Sequence, residues 1–202
     1  DAYDITTIYF DTEDHDVFHR RGSFGRAKLR IRRYGRSSTA FLERKLRTDD
    51  MLAKRRTPLP LAELDRLSGS LARDWAGHWF HKRLLKRALT PATQMTYSRI
   101  ARSQHTDSGY ARVTMDVDLR VQPAYGFAFS PERGALALTD RAIVEVKFQG
   151  PEPALLTDLT HLFHLTPQPV SKYRLGATVL GVAADHPHAL HAADAPSLGD
   201  PS

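Results

Sequence analysis

The stretch Lys28–Lys45, written KLRIRRYG at 28–35 and FLERK at 41–45 with a polar turn between them, decides the fold. A strand presents alternate residues to opposite faces, so Lys28, Arg30 and Arg32 share one face and Leu29 and Ile31 the other. Residues 35–38 supply turn chemistry, and the chain returns as a second strand. On the return Glu43 and Lys45 face one way, with Leu42 and Leu46 opposite. A hairpin with one aliphatic and one densely charged face is a half-buried sheet, and its charged side is either an outer surface or the lining of a channel.

The same layout recurs outward from this hairpin. Residues 5–10 read as a β-branched and aromatic strand ending at Asp11, and Gly22 and Gly25 mark a bend before the hairpin. Residues 51–59 form another strand, with Lys54 and Arg56 on one face and Pro58 and Pro60 closing it. Helical spacing predicts a short helix over 61–71. A second, over 75–89, packs Trp79, Leu84 and Leu85 and carries Lys82, Arg83, Lys86 and Arg87. Those cations would suit RNA or a membrane surface, but a solvated outer face is the commoner arrangement. Residues 93–102 are strand-like, with Tyr97, Arg99 and Ala101 in phase. Along 111–120, Arg112, Thr114, Asp116 and Asp118 alternate with Val113, Met115, Val117 and Leu119. The two aspartates could be metal ligands, although pairing with neighbouring arginines is favoured. A short strand is expected at 136–138. Another spans 142–148, with Glu145 and Lys147 opposed to Val144, Val146 and Phe148. Helices over 153–165 and 170–182 follow, the latter with Tyr173 as a packing residue.

The chain of 202 residues can bury one sizeable core, and 41% hydrophobic with 26% charged residues is ordinary for a globular domain. It begins at Asp1 rather than Met, the start expected of a fragment. No apolar run is long enough to span a bilayer. Zero cysteines exclude disulfides and thiolate metal sites and fit a cytoplasmic protein. The pattern G-x-x-x-x-G-K is absent, as is G-x-G-x-x-G, so the common nucleotide-binding folds gain no support. A net charge of +6 points to an anionic partner: nucleic acid, anionic lipid or a polyanionic metabolite. Residues 184–202 are rich in Ala, His, Pro, Asp and Ser. They are expected to form a disordered tail, which leaves His186, His188 and His191 without a scaffold.

Cation after cation at alternate positions is not the mixed polar face of an ordinary sheet. Without a counter-anion Lys28, Arg30, Arg32, Lys45, Lys54, Arg56, Arg99, Arg112 and Lys147 would repel one another on one surface. An α+β fold accounts for them: a closed antiparallel β-barrel with a polar, basic interior and flanking helices over its apolar outside. Such a channel suits polyphosphate-like charge. Two acids stand among the cations, Glu43 and Glu145. Carboxylates in a phosphate-binding cavity are costly unless they hold a divalent ion such as Mg²⁺ or Mn²⁺. Glu145 and Lys147 would equally serve as an ion pair in an ordinary sheet.

KLRIRRYG, FLERK, AKRR, YSRIA, RVTMDVDL, AIVEVKF and above all VSKYRLG, in this order over residues 5–182, resemble the polyphosphate-polymerase (VTC) domain of the triphosphate tunnel metalloenzymes. The resemblance implies one tunnel domain over 1–183, in which Arg30, Arg32, Lys45, Arg99 and Lys172 act catalytically on the phosphates. Lys28, Lys54, Arg56, Arg112, Lys147 and Ser171 would bind phosphate beside them, and Glu145 with Glu43 would hold Mn²⁺ or Mg²⁺. The family opens with a further strand bearing acidic and lysine residues, which has no counterpart before Ile5.

The expected activity is that of a metal-dependent ATP–polyphosphate phosphotransferase. It would pass the γ-phosphate of ATP to a growing inorganic polyphosphate chain. The terminal phosphate of the chain is already ionised, so no general base is needed. Two alternatives stay open: a tunnel triphosphatase acting on inorganic triphosphate or nucleoside triphosphates, and a non-catalytic polyphosphate-binding module. No nucleic acid is expected as partner and no membrane span lies in the chain, while a membrane-protein partner is left open.

Overall fold

Alternation in the first strand already separates two environments. In the computed structural model, which describes residues 2–47, 51–106, 109–150 and 152–182, β1 (Ala2–Asp11) turns Ile8 and Phe10 to one side and Tyr3 and Tyr9 to the other. It is the middle of an antiparallel sheet. β2 (Ala27–Tyr34), β3 (Thr39–Arg47) and β4 (Leu52–Pro60) follow on one flank, and β5 (Thr90–Thr106) and β6 (Gly109–Pro123) on the other. The far edge of β6 is shared by two strands. β7 (Ala135–Leu136) pairs with Arg120 and Val121, and β8 (Ile143–Gln149) pairs with the stretch from Tyr110 to Asp116. The expected closure is not seen: among the described residues no pairing joins β4 to β8, so the sheet curves round its charged face with an open seam.

The aliphatic face is covered as its pattern requires. Ile8, Leu29, Ile31, Ala40, Leu42 and Leu59 pack against Leu64, Leu67, Trp75, Phe80 and Leu84. Leu64 and Leu67 come from Leu61–Ser68, a 3₁₀ helix within the 61–71 span where a short helix was expected. Three residues per turn puts Leu61, Leu64 and Leu67 in one line on the sheet. In α2 (His78–Lys86) Phe80, His81 and Leu84 are buried, whereas Leu85, expected to pack, is 59% exposed. No described helix is long and apolar enough to cross a membrane.

A second cluster plugs one part of the charged face. Met95, Tyr97, Leu119 and Val121 receive Tyr173 and Ala177 of α4 (Lys172–Val179), leaving α3 (Ala154–Leu162) peripheral. Leu119 reaches this cluster because β6 changes phase. Thr96 pairs with Arg120 but Ser98 with Val117, so two residues of β6 oppose Tyr97 alone. Asp118 absorbs the extra residue at φ 50°, in the left-handed region. The bulge removes Asp118 from the face of Asp116 and turns it to Arg120 and Arg133. The tail expected over 184–202 lies outside the described residues.

The entry to α1 (Asp16–His19) ties the fold together at Asp11. That carboxylate accepts from the backbone N–H groups of Val17 and Phe18, at 2.7 and 2.9 Å, and from the Tyr173 hydroxyl. One buried acid therefore joins β1, α1 and α4.

Candidate functional site

Register places the cations of the central strands in rows. Lys28 lies opposite Lys45, which lies opposite Lys54; the next inward row is Arg30, Glu43 and Arg56. Around them the curved sheet encloses a cavity of about 670 Å³. Its wall is drawn from β1 to β6, β8 and the start of α4, and all thirteen residues expected at the site line it: Lys28, Arg30, Arg32, Glu43, Lys45, Lys54, Arg56, Arg99, Arg112, Glu145, Lys147, Ser171 and Lys172. Eight structural elements thus converge on one basic space.

Two acids beside the cavity's cations, Glu43 and Asp116, are already taken by them. Glu43 is 2% exposed and accepts from Arg30 Nε at 2.7 Å, while Arg56 Nε stands 3.2 Å and Lys54 Nζ 3.8 Å from its other oxygen. Neither of the latter pair is aligned as a hydrogen bond, so that buried oxygen is held by charge alone. Burial raises the Glu43 carboxyl's pKa, but Arg30 and Arg32 draw it below its ordinary value. Asp116, fully buried behind the lining cations Arg99 and Lys172, accepts from Arg99 Nε and Nη2 at 2.5 and 2.7 Å and pairs with Lys172 Nζ at 2.7 Å. Its carboxyl too is held low, Arg99 and Lys172 outweighing desolvation. Glu145 is less confined. It pairs with Lys147 at 2.7 Å, and its side chain is 44% exposed.

Three neighbours of the cations were not anticipated. Arg32 is 6% exposed and donates to the Thr7 and Tyr97 hydroxyl oxygens, each at 3.2 Å. Burial pushes the Tyr97 phenol up in pKa. Tyr9, opposite Arg30 on β1, has the reverse balance: burial raises it, yet Arg30, Arg32 and Lys172 together bring it below the ordinary phenol value. Lys28 is lowered by burial and by Arg20, Lys45 and Arg30, and it donates to Ser171 Oγ at 3.4 Å. The alternation of Tyr3, Thr7 and Tyr9 against Ile8 and Phe10 carried the signal for these side chains, but in uncharged residues.

The donor set sets a limit on metal chemistry. Among the described residues no three His, Cys, Asp or Glu side chains come together, and Glu43 and Asp116 are surrounded by cations. A cage built from protein ligands alone is therefore absent there. A Mg²⁺-type ion needs only one or two carboxylates when substrate phosphates complete its shell, and Glu145 fits that lesser role.

The model of the VTC domain matches residues 1–180. No curated protein matches the chain significantly. Among solved structures, a candidate adenylate cyclase from Bacillus halodurans is similar at 13% identity and a TM-score of 0.47, over 84% of this chain and 79% of its own. A candidate adenylyl cyclase from Hippeastrum, described as having a dominant triphosphatase activity, is similar at 13% identity and a TM-score of 0.43. The likeness spans 89% of this chain and 83% of that one.

Proposed function

The chain belongs to the VTC domain family, and from that premise we propose that it makes inorganic polyphosphate from ATP inside the basic cavity. The observation that carries this reading is the convergence of Arg30, Arg32, Lys45, Arg99, Arg112 and Lys172 from four strands and a helix on one 670 Å³ space. No single side-chain anion of the cavity could neutralise such a set, whereas a chain of phosphates meets each cation in turn. Bound polyanion also joins Lys54 and Arg56 of β4 to Lys147 of β8 across the open seam, closing the tunnel round itself.

The chain's own residues account for the transfer. Arg30, Arg32 and Lys172 surround the transferred phosphoryl group and stabilise the charge spread over its oxygens. Glu43 and Asp116 keep these cations in place without competing for the phosphate. Lys28, Lys45, Lys54 and Arg112 hold the acceptor chain, whose terminal oxygen attacks the γ-phosphorus, and ADP leaves with the bridging oxygen. Glu145 would hold Mn²⁺ or Mg²⁺, which supplies charge neutralisation at the phosphate oxygens. Hydrolysis would require a carboxylate poised to orient water. Glu43 and Asp116 are engaged by arginine and lysine, which favours phosphate over water as acceptor.

One incubation with ATP and Mn²⁺ tests this. Long-chain polyphosphate with stoichiometric ADP supports the polymerase; free phosphate alone replaces it with a triphosphatase, and no turnover with a binding module.

A further inference from the structure

The inward rows of the central strands change chemistry from one end to the other. The Lys28–Lys45–Lys54 row gives way to Arg30, Glu43 and Arg56, then to Arg32 opposite Phe41, and β2 ends in Tyr34. Tyr3 of β1 meets Tyr34 there, with ring centroids 6.2 Å apart. Phe41 meets Tyr34 edge to face at 5.6 Å. The guanidinium of Arg56 covers Phe41 at 3.6 Å and Tyr34 at 5.2 Å. Tyr3 and Tyr34 both line the cavity and are only half-buried, unlike Phe10 and Phe80, which pack into the sealed outer core. A phosphate chain has little use for these ring faces. A planar, electron-rich base has.

We propose that Tyr3, Tyr34 and Phe41, with Arg56, form a stacking platform for the base of a nucleoside triphosphate donor. The inference rests on the reading of the cavity as a nucleotide-using polymerase and gives that tunnel a direction. Tyr34 and Arg30 are four residues apart on one strand, about 13 Å, a span that lets the base lie on the rings while the terminal phosphate reaches Arg30. The acceptor chain then approaches from the lysine row. Its terminal oxygen forms the new bond to the γ-phosphorus, the bond from that phosphorus to the β–γ bridging oxygen breaks, and the nucleoside diphosphate leaves past the rings. Every base has a stackable face, so the site accepts any nucleoside triphosphate and prefers purines.

The test compares ATP with inorganic tripolyphosphate, and uses 2-aminopurine riboside triphosphate as a fluorescent probe of stacking. Wild-type protein should quench the probe. Combining Tyr3→Leu with Tyr34→Leu should weaken ATP binding about tenfold while tripolyphosphate binds as before. An unquenched probe on wild-type protein overturns the platform whatever the variants do. So does an equal loss for both ligands, or ATP binding that ignores the double substitution. Should the pair impair folding, Tyr3→Leu alone must show the same selective loss in smaller degree. Failure of wild-type protein to bind tripolyphosphate would instead contradict the polyphosphate reading beneath the proposal.

Discussion

Lys172, the first residue of α4, reaches Asp116 in the middle of β6 at 2.7 Å, and Arg99 of β5 grips the same carboxylate through two bonds. Asp116 is therefore a positioning residue. It aims two cavity cations from different elements and does not itself line the cavity.

Replacing Asp116 with Asn leaves Arg99 and Lys172, 12% and 14% exposed, without a buried counter-charge. Removing one partner of a buried pair costs roughly 3–5 kcal/mol, and the residual exposure puts this case near the lower figure. Because the carboxyl's folded pKa is depressed, its contribution is complete above about pH 4, the unfolded aspartate value, and is lost as pH falls through the lower folded one. Melting curves from pH 7 to 2 should show the variant less stable at neutrality and flatter in acid. An unchanged acid limb would mean that Asp116 does not carry this charge.

Glu145→Gln should leave the stability within about 0.5 kcal/mol of wild type, since the side chain is 44% exposed and serves no core. Metal-dependent turnover of ATP should fall by roughly a hundredfold or more, the range for losing a group that stabilises transition-state charge. A manganese titration of the initial rate measures both affinity and ceiling. Full activity in the variant would remove Glu145 from the site.

Gly176 tests how packing reaches the chemistry. A Cβ there would stand 2.7 Å from Val121 Cγ2 and 3.4 Å from Met95 Sδ, so α4 must shift to admit it. Gly176→Ala should cost about 1–3 kcal/mol through overpacking. It should also weaken tripolyphosphate binding, because Lys172 and Ser171 ride on the same helix. Thermal melts with and without tripolyphosphate separate the two effects; lost stability with undiminished binding would uncouple α4 from the cavity.

The charged rows were legible because alternation is a strong signal when its members are Lys and Arg. Residues 28–45 alone put Lys28, Arg30 and Arg32 on one face of a hairpin strand, and Glu43 with Lys45 on one face of its return. Four features escaped it. The bulge at Asp118 leaves no mark in a sequence that alternates evenly through it, so Leu119 was assigned to the wrong face. The roles of Tyr3, Tyr9, Tyr34 and Tyr97 were hidden because a tyrosine at an inward position looks the same as one in a core. Closure of the barrel depends on whether the β4 and β8 edges meet, and edge pairing over so long a separation has no local code. The engagement of Glu43 by Arg30 and Arg56 likewise follows from register between strands, which the two-residue period constrains but does not complete.

The central claim, that cations distant in sequence hold one polyanion, is tested most directly by the melting shift that tripolyphosphate produces in wild type, Arg30→Ala and Lys172→Ala. A ligand at a hundred times its dissociation constant adds about 2.7 kcal/mol to the native state, an effect that high salt should screen. Arg30 and Lys172 lie 142 positions apart, yet both line the cavity. Each substitution should reduce the shift, and by similar amounts. A Lys172→Ala protein that keeps the full shift while Arg30→Ala loses it would show that the two residues do not share an anion.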